Sequence, residues 1–259
     1  MTTPNFKTPS QRYKTPAPPR EPSALDGILL VDKPAGPTSH DIVHAIRKHF
    51  AIRKVGHGGT LDPQATGLLV LLLGKGTKLS SYFMTGDKGY DGTMTLGAET
   101  NTQDADGEVT REGDYSGVTR EQAVAAMKHY VGDMMQTPPM VSAVKVKGVP
   151  LYKSARKGQT IEREARLIHI YRFDVTAFDL PEISFHVDCT KGTYVRTLSA
   201  DVGADLECGA HLSALRRTAS GQLSLEDATP FDTIMEMDEA ALKKIVLPLA
   251  RFASTAPRP

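Results

Sequence analysis

A single carboxylate inside a glycine-rich loop is the feature of this sequence that most suggests chemistry. In residues 55–67, VGHGGTLDPQATG, Asp62 is the only formally charged side chain apart from His57. The apolar run at residues 68–73 follows and predicts a strand buried on both faces. A carboxylate beside such a strand costs desolvation free energy unless a cation or hydrogen-bond donors meet it. Pro63 favours an extended Asp62, so the loop is suited to display a reactive group, or alternatively to form an Asx turn that only organises the loop.

Two histidines four residues apart, His40 and His44, imitate the spacing of a zinc-protease helix. That pattern requires Glu as the general base and a third metal ligand, whereas Asp41 is shorter and suits a helix cap with Thr38. Two surface histidines are therefore the preferred interpretation, and a metal-dependent hydrolase is the alternative.

A one-sign stretch at residues 134–161 contains no Asp or Glu but carries five cations and a tyrosine. Cations interleaved with an aromatic ring suit a nucleic-acid backbone, although a solvated loop fits the charge pattern equally well. Arg216 and Arg217 could extend the same basic face. The stretch includes Lys145, Lys147, Tyr152, Lys153, Arg156 and Lys157.

The overall charge is close to neutral, with 31 Lys+Arg against 30 Asp+Glu, so any polyanion must be bound by a local basic face. Two cysteines without a Cys-x-x-Cys pair support neither a disulfide framework nor a thiolate zinc site, and they favour the reducing cytoplasm. No apolar run approaches the ~20 residues of a membrane helix.

Residues 1–24, with six prolines and four cations, predict a disordered basic arm.

The hydrophobic pattern predicts strands separated by isolated helices. Thr38 and Asp41 form a capping-box pattern, and Ile42, Ile46 and Phe50 give the following helix one apolar stripe. This arrangement predicts an α+β domain with a largely antiparallel or mixed sheet. The predicted strands cover residues 27–31, 68–73, 90–96, 166–178 and 183–189, and two further helices cover 121–131 and 194–206.

These residues resemble the TruB-type tRNA pseudouridine-55 synthases. Residues 27–39, GILLVDKPAGPTS, are similar to the family's opening motif, and residues 56–67 are similar to its catalytic loop. Shorter motifs follow in family order, and the resemblance covers residues 26 to about 231. These motifs lie at residues 88–90, 104–107, 138–143, 191–196 and 211–217.

The resemblance implies a pseudouridine synthase fold, with a central mixed sheet flanked by helices and a mobile thumb loop. It implies that a uridine is flipped out, that its glycosidic bond is cut, and that the uracil is reattached through C5. Asp62 would be the nucleophile, acting at the ribose C1′ or by way of a glycal, with Arg196 as its partner and Tyr90 stacking on the base. The other implied site residues are Tyr194 and Leu215 in the base pocket, His57 in base extrusion, Asp104 bracing Arg196, and Lys33 supporting the loop.

The resemblance also implies the domain organisation and the partners. Residues 25–233 would form the catalytic domain, and residues 134–161 its thumb, with Lys145, Lys147 and Lys153 contacting RNA. Residues 234–259 would be a short remnant of the family's C-terminal RNA-binding domain, which favours a stand-alone bacterial enzyme. Val141 departs from the aromatic residue usual in the thumb.

The expected partner is the T arm of tRNA, with no cofactor, metal, membrane, guide RNA or obligatory protein, and the expected state is a monomer. A tRNA-folding chaperone with the same surface is the alternative.

Overall fold

The computed structural model describes residues 25–140, 145–146, 149–150 and 161–255. The strands are β1 Gly27–Lys33, β2 Val55–His57, β3 Thr66–Leu73, β4 Lys88–Leu96, β5 Ala98–Thr100, β6 Val109–Glu112, β7 Gly132–Gln136, β8 Lys145–Val146, β9 Val149–Pro150, β10 Arg166–Asp179, β11 Glu182–Cys189, β12 Ala210–Ser220, β13 Leu223–Ser224 and β14 Thr229–Pro230. The α-helices are α1 Ser39–His49, α2 Ser80–Thr85, α3 Arg120–His129, α4 Val195–Asp205, α5 Phe231–Glu236 and α6 Glu239–Ile245. No helix within these described ranges is long and apolar enough to cross a membrane.

The first helix begins where its capping box predicts. The Asp41 backbone N–H donates to the Thr38 hydroxyl at 3.1 Å, and the Thr38 N–H donates to the Asp41 carboxylate at 2.9 Å. These reciprocal bonds satisfy two N–H groups that a helix end otherwise leaves unpaired. Ile42 and Ile46 are buried, so the predicted apolar stripe of α1 faces the core.

Ten strands form one mixed sheet, in the order β14-β1-β3-β12-β4-β11-β10-β7, with β13 on β12 and β2 on β3. Only the β1–β14 and β12–β3 pairs are parallel. The prediction of an α+β domain with a mixed sheet is confirmed. The central strand β12 was not among the predicted strands.

The sheet is nearly divided at the contact between β3 and β12. The two strands pair only at Thr66–Arg216 and Gly67–Arg217. Gly67 has a φ of +93°, and a Cβ there would lie 2.4 Å from the Arg217 carbonyl oxygen. Glycine is therefore required at this close approach.

Each half of the sheet has its own packing. α1, α5 and α6 cover one face of β1 and β3, while Phe83 and Phe252 cover the other face. β3 is buried throughout residues 67–73 because both faces are covered. α3 and α4 pack against β4, β10, β11 and β12 in the second half.

Truncation of Leu71 in β3 tests whether this strand organises the first half of the sheet. Leu71 is 0% exposed, so Leu71→Ala should lower the free energy of unfolding by about 2–5 kcal/mol, measured by urea denaturation. Leu167→Ala is the matched control, since Leu167 is 68% exposed and its loss should change stability by less than about 0.5 kcal/mol. Equal destabilisation by the two substitutions would contradict this account of the core.

Candidate active site

Asp62 lies in the loop between β2 and β3 and lines a cleft of about 1710 Å³. Its side chain is 57% exposed, so it is accessible to a ligand in the cleft. The cleft opens beside the narrow β3–β12 contact, and Thr66 and Arg216 of that contact belong to its lining. The predicted site residues that also line it are His57, Asp104, Arg196 and Leu215.

Arg196, in the first turn of α4, joins two carboxylates. Its Nη1 lies 3.3 Å from the Asp62 Oδ2 and 2.9 Å from the Asp104 Oδ2. The Arg196 side chain is only 7% exposed, so its charge is poorly screened by water. Asp104 is oriented further by the Thr102 hydroxyl, which donates to its Oδ1 at 2.5 Å. The guanidinium therefore holds two carboxylates side by side at the cleft.

Buried side chains hold the backbone of the Asp62 loop from below. The Lys33 ammonium donates to the carbonyl oxygens of Pro34, Pro63 and Ala65 at 2.8, 2.9 and 2.7 Å. Burial lowers the pKa of Lys33 to about 8, although the nearby Asp62 carboxylate acts in the opposite direction. Three donors matched to three acceptors make Lys33 a loop-supporting group.

Ser39 fixes the residue immediately before Asp62. Its hydroxyl donates to the Leu61 carbonyl oxygen at 2.9 Å and accepts from the Leu61 N–H at 2.8 Å. Both Ser39 and Leu61 are buried. Asp62 thus extends into the cleft from a backbone held on both sides, by Ser39 and Lys33.

Arg217 on β12 holds the beginning of the same loop. Its Nη1 and Nη2 donate to the carbonyl oxygens of Thr60 and Gly59, each at 3.2 Å, and its Nε donates to that of Leu68 at 2.7 Å. The expectation that Arg217 extends a basic face for phosphates is wrong, because its side chain is buried at the β3–β12 contact.

Arg216, the neighbour of Arg217, points to the other side of the strand. It forms two hydrogen bonds with the Asp32 carboxylate, at 3.0 and 2.6 Å. Its partly exposed guanidinium lines the cleft. Adjacent arginines therefore have different roles, because alternate side chains of a strand face opposite sides of the sheet.

Tyr90 on β4 lies behind the cleft lining, near the charge of the Arg217 guanidinium. Burial raises the pKa of Tyr90, while Arg217 acts in the opposite direction. The neutral phenol is therefore its resting form. Burial lowers the pKa of His57, aided by the charge of Arg217, so its imidazole is neutral at physiological pH.

Tyr194 precedes α4 and lies beside Arg196, whose guanidinium carbon is 5.8 Å from the centre of the Tyr194 ring. The side-chain amide of Gln136 binds both backbone groups of Tyr194. Its Nε2 donates to the Tyr194 carbonyl oxygen at 3.1 Å, and its Oε1 accepts from the Tyr194 N–H at 2.8 Å. Leu215, on β12, is partly buried and lines the cleft.

Sequence reasoning missed three residues of this arrangement: Ser39, Gln136 and Arg217. Ser39 and Arg217 lie inside motifs that were noted, but neither residue was recognised as a support for the loop. No feature of the sequence around Gln136 indicated its contact with Tyr194, since a lone glutamine before Pro138 and Pro139 is ordinary loop composition. Their partners are backbone groups far along the chain, which composition and spacing do not indicate.

Lys145 lies in β8, whereas Lys147, Lys153 and Val141 lie outside the described residues. Among the residues the structure describes, no three His, Cys, Asp or Glu side chains are grouped to hold a metal ion. The His44 Nδ1 instead accepts from Arg47 at 3.1 Å, and His40 is exposed and lines the cleft.

Comparison with protein families gives two consecutive matches. Residues 47–195 match the TruB family pseudouridylate synthase N-terminal domain, and residues 196–253 match the tRNA pseudouridylate synthase B C-terminal domain. The chain is 50% identical over 229 residues to the tRNA pseudouridine synthase B of Opitutus terrae, covering 88% of this chain and 95% of that relative. It is 46% identical over 250 residues to the protein of the same name from Burkholderia lata, covering 96% and 75%.

Solved structures give the same fold. A chain in the crystal structure of a Cbf5-Nop10-Gar1 complex matches with a TM-score of 0.69 and 30% identity, covering 86% of this chain and 60% of the solved chain. A chain in the structure of an H/ACA RNP bound to a substrate RNA containing 2′-deoxyuridine matches with a TM-score of 0.65 and 26% identity, covering 86% and 59%. This chain therefore spans about 60% of the length of those solved chains.

The two family matches together cover residues 47–253, including Asp62, Tyr90 and Arg196. A relative of nearly full coverage is half identical in sequence. On this basis, the chain belongs to the TruB family of pseudouridylate synthases.

Proposed function

We propose that this enzyme isomerises uridine to pseudouridine at position 55, in the T loop of tRNA, with Asp62 as the nucleophile. The observation that carries the proposal is an exposed carboxylate in a large cleft, held by the buried guanidinium of Arg196. Curated relatives named tRNA pseudouridine synthase B support tRNA as the substrate. A base inside a stem-loop must leave its stack to reach such a carboxylate, so the reaction includes base flipping.

The reaction breaks the bond between N1 of uracil and the ribose C1′ and forms a bond between C5 and C1′. Asp62 attacks C1′, or it assists a glycal route, while the uracil stays in the cleft and rotates. The proton lost from C5 is balanced by the proton gained at N1. Substrate and product therefore have the same atoms and the same oxidation state.

The remaining predicted residues take supporting roles in this proposal. Arg196 orients the Asp62 carboxylate, and Asp104 binds the same Nη1 of Arg196. Tyr90, as a neutral phenol below the cleft, stacks on the base and takes part in the removal of the C5 proton. Neutral His57 packs within the T loop, while Leu215 and Tyr194 enclose the flipped base.

RNA recognition rests on the T arm, with Lys145, Lys147 and Lys153 of the thumb contacting phosphates. We propose a monomer that acts without a cofactor, a metal, a guide RNA or an obligatory protein. The free thiols of Cys189 and Cys208 support a reducing compartment, the cytoplasm.

The direct test is to incubate an unmodified tRNA transcript with the protein in EDTA and to map pseudouridine. Position 55 should be converted, and Asp62→Asn should abolish conversion while changing tRNA affinity only a few-fold, because only the nucleophile is removed. Asp114→Asn is the matched control, since Asp114 is exposed, lies outside the cleft and should be dispensable. Tight tRNA binding without conversion by the parent would indicate a folding chaperone instead.

Arg196→Lys should cost more activity than conservation of charge suggests. A planar guanidinium reaches Asp62 and Asp104 with fixed geometry, whereas an ammonium is a shorter point charge. We expect kcat to fall roughly 10- to 100-fold, the scale of a reacting group misplaced by about 1 Å. Arg172→Lys, at an exposed ion pair on β10, is the control. Equal kcat values for parent and Arg196→Lys would remove Arg196 from the catalytic set.

Lys33 should impose an alkaline limit on kcat. With its pKa lowered to about 8, Lys33 has three N–H donors for its three carbonyl partners below that pH but only two above it. kcat should therefore fall as the pH rises through about 8, measured from pH 6 to 9 on whole tRNA.

Lys33→Met should be less active at every pH and should lack this alkaline fall. Lys88→Met is the comparison, because burial also lowers the pKa of Lys88 to about 8 while its ammonium binds the carbonyls of Phe83 and Gly86, outside the cleft. If the alkaline fall in kcat disappeared in Lys88→Met and persisted in Lys33→Met, the titrating group would be Lys88 and this prediction would be wrong.

A further inference from the structure

Tyr194 occupies the last position before α4 and is the N-cap residue of that helix. Its carbonyl oxygen accepts from the N–H groups of Thr197 and Leu198 at 3.1 and 3.2 Å, the first bonds of the helix. Its side chain forms no capping hydrogen bond, so the helix start lacks the usual side-chain restraint. Arg196 is only two residues farther along.

Gln136 supplies the missing restraint from another element. It lies at the end of β7, an edge strand that pairs with β10 along one side, and it is 4% exposed. Its amide donates to the Tyr194 carbonyl oxygen and accepts from the Tyr194 N–H. A side-chain amide carries both a donor and an acceptor, so it can pair with the C=O and the N–H of one residue, as a residue of a neighbouring strand does.

The position of Tyr194 matters because the contact between Arg196 and Asp62 is long. The Arg196 Nη1 is 3.3 Å from Asp62 but 2.9 Å from Asp104. A small shift of the first turn of α4 away from the cleft would separate Arg196 from Asp62 before it lost Asp104. The backbone next to Asp62 is held by the hydrogen bonds between Ser39 and Leu61. The first turn of α4, which carries Arg196, therefore needs a separate support.

We infer that Gln136 is a positioning residue for the reaction at Asp62, acting through the backbone of Tyr194 on Arg196. This inference rests on the proposed function, since it concerns the same carboxylate. Gln136 does not line the cleft and should contribute little to RNA affinity. Its contribution should therefore appear in kcat and not in KM.

The experiment compares Gln136→Met and Gln136→Glu with the parent in single-site pseudouridine formation. Met has similar volume without hydrogen-bonding groups, so kcat should fall about tenfold or more while KM for tRNA stays within about threefold. Gln122→Met is the matched control, because Gln122 also bonds a backbone N–H, in the capping box of α3 away from the cleft. It should leave kcat unchanged, and melting temperatures should be recorded for all variants.

Gln136→Glu adds a pH signature that a purely structural role would not produce. A protonated carboxyl can both donate to the Tyr194 carbonyl and accept from its N–H, whereas a carboxylate can only accept. Burial raises the pKa of a carboxyl group, so this variant should approach the parental kcat near pH 5.5 and lose activity as the pH rises to 8. Between pH 5.5 and 7 the parent should show no such loss, because its own alkaline fall begins only near pH 8. If Gln136→Met fails to fold, this profile decides the question alone.

A double-mutant cycle with Arg196→Lys identifies the route of action. If Gln136 acts through Arg196, Gln136→Met should cost less kcat in the Arg196→Lys background than in the parent. The inference is overturned by a kcat of Gln136→Met within twofold of the parent, by an effect confined to KM, or by additive losses in the cycle. An inactive parent would contradict the proposed function, whereas an active parent with unaffected Gln136 variants would contradict only this inference.

Discussion

The position of a buried guanidinium between two carboxylates is the constraint on which the site depends. Arg196 contacts Asp62 and Asp104, which both line the cleft, and Asp62 is the more exposed carboxylate, at 57% against 22%. Burying an arginine costs solvation free energy, which is offset only when its partners are well placed. The other elements of the site serve to keep those partners at hydrogen-bonding distance.

The Asp62 loop is held by polar side chains that bind backbone groups. Lys33 and Arg217 each bind three carbonyl oxygens, and Ser39 binds both backbone groups of Leu61. Backbone partners are present whatever residues occupy the loop, so these contacts fix its path without competing for the Asp62 carboxylate. The result is a reactive group held rigidly at its base and exposed at its tip, which is a preorganised arrangement.

The mixed sheet provides the space for this arrangement. Because β3 and β12 pair at only two positions, the two halves of the sheet separate beside the Asp62 loop, and the cleft occupies the opening. Gly67 allows the close approach of β3 to Arg217, and the buried Arg217 side chain binds the start of the loop. The stability of each half comes from its own apolar packing, so a polar cleft between them does not interrupt a continuous core.

The sequence by itself determined the local elements and the identity of the reactive loop. The Thr38–Asp41 capping box predicted the start of α1, and the apolar run before Gly74 predicted β3, because caps and periodicity depend on neighbouring residues. The isolated Asp62 was conspicuous for the same reason. Only the tertiary structure decided that β12 is a central strand, that Arg217 is buried instead of facing phosphates, and that Gln136 holds Tyr194. Those outcomes depend on contacts between residues far apart in the chain, and a strand containing two adjacent arginines has no local pattern that distinguishes a buried side chain from an exposed one.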